Sequence, residues 1–217
     1  MNQEEPYYGL AEPPETQDLS EVEAAAEGCK ACHLWRYASQ TVFGDGPPTA
    51  RLMLIGEQPG DQEDKEGHTF IGPAGKLLRA ALKDAGIDPE ATYMTNAVKH
   101  FKWEPKGARR LHKRPVYREV KACYPWLQKE VELVNPQLVI CLGSTAAQAL
   151  FGRDFKVTVR RGEFLPGPLQ KTYYITVHPS SILRANDREE QRQRFVADLK
   201  VAAEYLASSP VGKVSLR

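Results

Sequence analysis

The chain has 217 residues, with 29 Lys and Arg against 28 Asp and Glu and a formal net charge of +1, a length that suits one domain or two small ones. With 41% apolar and 26% charged residues it can bury a sizeable core, and any nucleic-acid site must come from segregated charge. No apolar run approaches the roughly 20 residues that span a bilayer, and the N-terminus lacks a signal-peptide pattern. A cytoplasmic, membrane-free protein is expected, in which Cys29, Cys32, Cys123 and Cys141 are thiols or metal ligands and not disulfides.

Residues 1–19 read as a disordered acidic arm with Pro6, Pro13 and Pro14. A single domain over 20–209 follows, and 210–217 reads as a frayed tail. Ser20 can cap a helix over Glu21–Glu27 that stops at Gly28, before Cys29-Lys-Ala-Cys32. Arg51–Gly56 is a short apolar strand leading into a polar loop, Glu57–Asp64. A helix over Ala74–Ala85 has Pro73 near its start and Gly86 at its end. Thr92–Val98 is a second strand. The stretch from Lys99 follows, a Gly- and Pro-punctuated loop with Lys102, Lys106, Arg109, Arg110, Lys113 and Arg114 against one acid, Glu104. Val116–Leu133 is helical, Gln137–Gly143 a third strand, and Ser144–Phe151 a helix capped by Ser144. Arg161–Leu169 reads as a turn-rich connector, Thr172–Val177 as a fourth strand ending in His178-Pro-Ser-Ser181, and Asp187–Leu206 as the last helix.

Strands alternating with helices imply a parallel sheet covered on both faces. Ligands of such sheets bind outside the carboxyl ends of the strands. Three unusual polar segments fall there: Gly56–Asp64, His100–Arg114 and His178–Ser181. The basic loop suits phosphate, and equally suits a solvated surface. Cys29-x-x-Cys32 with a distant Cys123 suits zinc or an iron-sulfur cluster. The fourth ligand is open: Cys141 lies mid-strand, where Cys often serves as a small hydrophobe, and His100 flanks the loop.

Gly56-Glu-Gln-Pro-Gly60, Gly72-Pro-Ala-Gly-Lys-Leu-Leu78, Thr95-Asn-Ala-Val-Lys-His100, Cys123-x-Pro-Trp-Leu127, Leu142-Gly143 and His178-Pro-Ser-Ser181 resemble the motifs of the iron-sulfur uracil-DNA glycosylases, over about Cys29–Leu206. Gln58, His100 and the Arg109-Arg110-Leu111-His112 loop resemble its X branch (UdgX), which bonds covalently to uracil-containing DNA through a histidine of this loop. The resemblance implies an α/β fold, a three-layer α/β/α sandwich with a central four-stranded parallel sheet. It also implies a structural 4Fe-4S cluster on Cys29, Cys32, His100 and Cys123, with Cys141 as the alternative fourth ligand. The implied partner is uracil-containing DNA, including single strands, met by a monomer that is nucleoid-associated when on DNA.

Uracil excision needs an extruded base held by edge and face, with charge stabilised on both fragments. Phe70 can stack on the base. Asn96 can pair with uracil O4 and N3–H, and His178 can donate to O2. Gly56 and Gly60 let the backbone approach. Glu57 and Asp61 are acids expected near the reacting sugar, and backbone amides near Asp61 and Gln58, a further catalytic candidate, can contact the base. His112 can attack C1′ as a neutral nucleophile, oriented by Glu57, with Arg110 closing the loop. Arg109, Arg110, Lys113 and Arg114 can hold phosphates and disfavour imidazole protonation, and Ser180 and Ser181 can touch the strand. Two other outcomes share these motifs: a conventional multiple-turnover glycosylase, and a non-enzymatic single-strand-binding module.

Overall fold

The computed structural model describes residues 8–208. The tail from 210 and the first seven residues of the expected arm lie outside that range. The apolar run at the first strand becomes β1 (Leu52–Gly56), buried at every position, because a parallel strand at a sheet centre is covered on both faces. It lies between β2 (Thr92–Asn96) and β5 (Leu138–Leu142), with β7 (Thr172–Thr176) beyond β5, and all three pairings are parallel. The four expected strands are therefore present. The sheet has a fifth, β6 (Phe164–Pro166), antiparallel to β7 at the edge, in the order β2-β1-β5-β7-β6. That short strand replaces part of the expected connector. It is three residues long and ends in Pro166, which an edge strand tolerates.

Alternation along the strands divides the core in two. Met53, Ile55, Val139, Cys141, Tyr173 and Ile175 belong to one cluster. It is completed by α1 (Leu19–Glu27), α4 (Tyr117–Val134) and α5 (Gly143–Phe151). Leu52, Leu54, Leu138, Ile140 and Tyr174 belong to the other, with α3 (Pro73–Asp84) and α8 (Arg188–Ser208). This is the expected three-layer arrangement.

Local differences have local causes. Asp18, not Ser20, caps α1, its carboxylate accepting from Ser20 N–H at 2.8 Å. The polar loop after β1 contains α2 (Asp61–Glu66), too short to show a period; its acids Asp61, Glu63 and Asp64 sit in the first turn, where the helix dipole favours them. The basic loop is a hairpin, β3 (Trp103–Lys106) and β4 (Arg109–His112). Gly107, with φ of 60°, opens its two-residue turn, the position at which such turns favour glycine. Two short helices, α6 (Val157–Arg160) and α7 (Pro179–Leu183), flank the carboxyl end of the sheet. Part of the expected arm is anchored, since Gly9 N–H donates to Ala31 O and Ala11 N–H to Ala122 O, both at 2.8 Å. No helix among the described residues is long and apolar enough to cross a membrane.

Candidate active site

The carboxyl ends of β1, β2, β5 and β7 open onto one cleft of about 1130 Å³, whose lining includes Glu57, Phe70, Asn96, His112, Gly143 and His178. Gln58, Gly60, Asp61, Arg114, Ser180 and Ser181 also line it. The three polar segments are thus brought together by the fold.

The floor is set by Gly56, which pairs in register with Asn96. A Cβ there would fall 2.4 Å from Asn96 Oδ1 and 2.7 Å from Phe70 Cζ. Glycine is required so that the two side chains can share this corner. Phe70 takes a left-handed backbone, φ 52°, an arrangement that persists only when its surroundings impose it. Glu63 Oε1 accepts from Ile71 and Gly72 N–H at 3.1 and 2.8 Å, and α3 presses its Gly75 onto the Phe70 carbonyl, where a Cβ would lie at 1.9 Å. The Phe70 ring stands 6.4 Å from that of His178, centroid to centroid.

His178 caps α7. Ser180 N–H donates to its Nδ1 at 3.1 Å, so Nδ1 is the acceptor and the neutral ring carries its proton on Nε2. Burial, helped by His112 and Arg184, lowers its pKa to about 4. Ser180 therefore orients His178, its hydroxyl also lying 2.8 Å from Nδ1, while exposed Ser181 bonds the His178 carbonyl at 2.7 Å.

On the opposite wall, Gln58 pins the base of the hairpin. Its Oε1 accepts from Lys102 N–H at 3.0 Å, which fixes the amide's orientation. Its Nε2 then reaches Lys102 O at 3.2 Å, Lys113 O at 3.0 Å and His112 Nε2 at 2.9 Å. The amide has two N–H groups to share among these three acceptors and can only donate, so in its contact with His112 the ring Nε2 accepts through its lone pair. Glu57 Oε1 is 3.6 Å from the same nitrogen. Thr145 holds the Glu57 carboxylate by donating to Oε2 at 2.5 Å. Burial lowers the His112 pKa below the usual imidazole value; Glu57 opposes this and Arg184 adds to it. Thr145 and Arg184 carry no sequence signal that would have singled them out.

The loop cations divide by role. Arg110 turns inward: Nε donates to Asp61 Oδ1 and Nη1 to buried Asp64 Oδ2, both at 2.5 Å, and Nη2 to Asp61 O at 3.1 Å. It is a latch between β4 and α2. Arg114 also has protein partners, Ser144 Oγ at 2.9 Å and Gln148 Oε1 at 3.2 Å. Lys113 pairs with Glu104 at 2.7 Å, and Arg109 is exposed. Hydrogen bonds from Lys65 and then Arg110 hold the Asp61 pKa below the carboxylate range. Of the two acids expected near the sugar, Glu57 is the one beside His112.

The cysteines lie on the α1 and α4 side. Cys32 and Cys123 share a core cluster with Cys29 packed against it. Trp126 Nε1–H donates to Cys29 Sγ at 3.1 Å, and Lys99 N–H to Cys123 Sγ at 3.3 Å. Burial raises the Cys32 and Cys123 pKa values to about 11 and 12, so these thiols ionise only against a positive partner. Buried His100 has Nε2 3.0 Å from Thr41 Oγ1, which donates to Ala26 O at 3.1 Å; its neutral ring therefore donates from Nε2 and keeps a lone pair on Nδ1. Three soft sulfurs, two with N–H donors, and one free imidazole lone pair fit an iron-sulfur group chemically. Among the described residues no three His, Cys, Asp or Glu side chains already converge as a metal-holding group. Cys141 is fully buried within β5, and burial alone raises its pKa.

Between these cysteines and the cleft lies a buried polar knot that the sequence reading missed. Lys99 pairs with Glu130, both essentially inaccessible. Lys99 Nζ also donates to Thr95 Oγ1 at 2.6 Å and Asn96 O at 3.0 Å, and Tyr93 and Thr95 hydroxyls donate to Glu130 Oε1 at 3.0 and 2.8 Å.

Comparison with known proteins agrees with this layout. The family profile of the Uracil DNA glycosylase superfamily matches residues 43–200. A type-4 uracil-DNA glycosylase of Thermotoga maritima is 33% identical over 186 residues, 85% of this chain and 93% of that protein. One of Sulfurisphaera tokodaii is 32% identical over 173 residues, 76% of each chain. One of Pyrobaculum aerophilum is 33% identical over 193 residues, 84% of this chain and 91% of that protein. A profile spanning most of the described residues, over a sheet whose strand ends converge on one cleft, has a plain meaning: the chain belongs to the uracil DNA glycosylase superfamily.

Proposed function

We propose that the protein excises uracil from DNA and is captured by the product through a bond from His112 to C1′ of the sugar. The observation that carries this is the pairing of two walls across one cleft. Phe70, Asn96 and the Nε2–H of His178 form a base-sized corner, and the Nε2 lone pair of His112 lies beside Glu57 on the facing wall. Phe70 stacks on the extruded base, Asn96 pairs with O4 and N3–H, and His178 donates to O2 as charge develops there. The C1′–N1 bond breaks with its electron pair on uracil N1. The His112 Nε2 lone pair leaves the Gln58 N–H, whose two hydrogens stay on Lys102 O and Lys113 O, and forms the new bond to C1′; the imidazolium that results is offset by Glu57. Its Nδ1 proton passes to solvent and a proton returns to the uracil anion, which balances the charge. Gln58 orients the ring and Arg110 keeps the hairpin closed.

Cys29, Cys32, Cys123 and His100 would hold a 4Fe-4S cluster. When bound, the group supplies a structural cross-link between α1, the end of β2 and α4. A brown protein with broad visible absorbance is expected, and Cys141→Ser should keep its colour; bleaching by that change would assign Cys141 as the fourth ligand instead.

A denaturing gel of the protein with uracil-containing single-stranded DNA tests the capture. A slow band that survives heat and detergent is expected, with uracil release stopping near one equivalent. His112→Ser should abolish the band and, by admitting water to C1′, permit release beyond one equivalent. Wild-type turnover without any band would make the protein a conventional glycosylase. The relatives named as type-4 uracil-DNA glycosylases support that second reading equally.

A further inference from the structure

The cleft is larger than one base requires. Its volume of about 1130 Å³ exceeds the roughly 300–1,000 Å³ that takes a whole drug-sized ligand, while the proposed function places one ring only, in the corner made by Gly56, Phe70 and Asn96. The cleft continues past Thr145 to a second wall, formed by Gln148, Phe155, Lys156, Val157 and Thr158. None of the residues assigned to uracil or to His112 lies there.

This second wall differs in chemistry from the first. The acids lining the cleft, Glu57, Asp61 and Glu63, all belong to the segment after β1, and the far wall has none. It offers the cation of exposed Lys156, with Arg114 standing between the two halves. Phe155 is held in place: its ring stacks on Phe151 with centroids 4.9 Å apart and planes 26° apart. Its carbonyl accepts from Gln148 Nε2 at 3.3 Å. Gln148 in turn accepts from Arg114 at 3.2 Å, so the far wall is tied to the hairpin's end. Arg114 is already answered by Glu57, whose Oε2 lies 3.8 Å from its Nε, so the cation left to the far wall is Lys156. A fixed aromatic ring, an apolar neighbour and an exposed cation on a wall lined by no acid are what a nucleotide asks for, a flat face to stack on and charge for its phosphate.

We infer that the wall of Phe155, Val157 and Lys156 is a second nucleotide subsite, which takes the base and phosphate flanking the extruded uracil. The inference rests on the uracil-DNA reading and adds its substrate class, a strand whose neighbouring base is also unpaired. Base-paired DNA would hold that neighbour in the duplex and leave the subsite empty.

The test uses the full-length protein and single-stranded oligonucleotides with one deoxyuridine, in which the 5′ or the 3′ neighbour carries either a base or an abasic tetrahydrofuran. Binding is read by fluorescence anisotropy on matching strands that carry 2′-fluoro-deoxyuridine, whose glycosidic bond resists cleavage so that no adduct forms, and uracil release by single-turnover assay on the deoxyuridine strands. Wild type should bind about tenfold more weakly when the base on one side is removed, the scale of one lost stacking contact. Phe155→Ala should bind the intact strand about as weakly and be insensitive to the same removal. Lys156→Ala, an exposed change that leaves the fold alone, should lower affinity several-fold and reduce its salt dependence. If wild type releases uracil but is indifferent to both neighbours, or if Phe155→Ala and Lys156→Ala leave affinity unchanged, the subsite is wrong and the excision reading survives. If wild type releases no uracil from any strand, the excision reading fails and the subsite falls with it.

Discussion

Two histidines face the same cleft with opposite proton arrangements, and each arrangement is imposed by one neighbour. The Ser180 amide makes Nδ1 of His178 an acceptor, while the Gln58 amide makes Nε2 of His112 an acceptor. One ring is set to donate toward the cleft and the other to present a lone pair. Protonating His112 would place an N–H against the Gln58 amide, so the proposed adduct formation needs the neutral ring. Because burial holds its pKa below the ordinary imidazole value, the adduct rate should be flat above about pH 6.5 and fall with acid beneath that. Arg184→Ala should move the acid limb to higher pH, since it removes a cation that disfavours protonation; Glu57→Gln should move it lower. A rate that rises as pH falls below about 6.5 would deny His112 this role. His178 follows the same sign: its folded value of about 4 lies below the unfolded one. Its contribution to stability is therefore complete above the ordinary imidazole pKa and lost as pH falls through about 4.

The hairpin of β3 and β4 is held by polar pins and little apolar packing. Leu111 is 45% exposed, and the fixed points are Arg110 on α2 and Gln58 at the base. Arg110→Ala leaves the buried Asp64 carboxylate with only the Ser39 N–H, which donates to it at 2.9 Å. The change should cost about 2–4 kcal/mol of local stability and slow adduct formation at least tenfold with uracil binding kept. Hydrogen exchange across 103–112 together with the gel band would check it, and unchanged protection would show that the latch is elsewhere. The same chemistry explains what could be read from the sequence. The strands β1, β2, β5 and β7 and the helix α3 declare themselves by apolar runs and by Pro73. The hairpin does not, because its inward residues are Arg110 and His112 and its strands carry no apolar alternation. Helix α2 is hidden by its acids, whose purpose shows only once Arg110 and the Ile71–Gly72 amides are seen to use them. Which residues meet in the cleft was legible mainly through resemblance, and so was Arg110 as the residue that closes the loop; its partners Asp61 and Asp64, and the bonds of Arg114 to Ser144 and Gln148, were not legible at all.

Across the whole molecule, the Lys99–Glu130 pair sits where β2, α4 and the cysteines meet. Breaking it from one side strands a buried charge. Lys99→Met should cost about 3–5 kcal/mol, a fall in Tm of roughly 6–20 °C for a domain this size. The double change Lys99→Met with Glu130→Leu should recover part of that, since an apolar pair leaves no charge unanswered. A Lys99→Met protein of wild-type Tm would show that the pair is solvated in solution. The hairpin lies outside this framework. Lys113 N–H donates to Lys102 O at 2.9 Å, so the chain leaves and re-enters the body at nearly one point, bridged by the Gln58 amide, while Arg110 on Asp61 and Asp64 and Trp103 Nε1–H on Tyr37 O at 2.8 Å tie its strands down. Such a segment stands apart from the sheet, and what its loss would leave without its cation is the buried Asp64 carboxylate. On the proposed mechanism the corner that reads the base belongs to the scaffold and the nucleophile to this hairpin. Excision and capture would then be carried by separable parts of the chain, and a change confined to 103–112 would alter the fate of the product without altering which base is read.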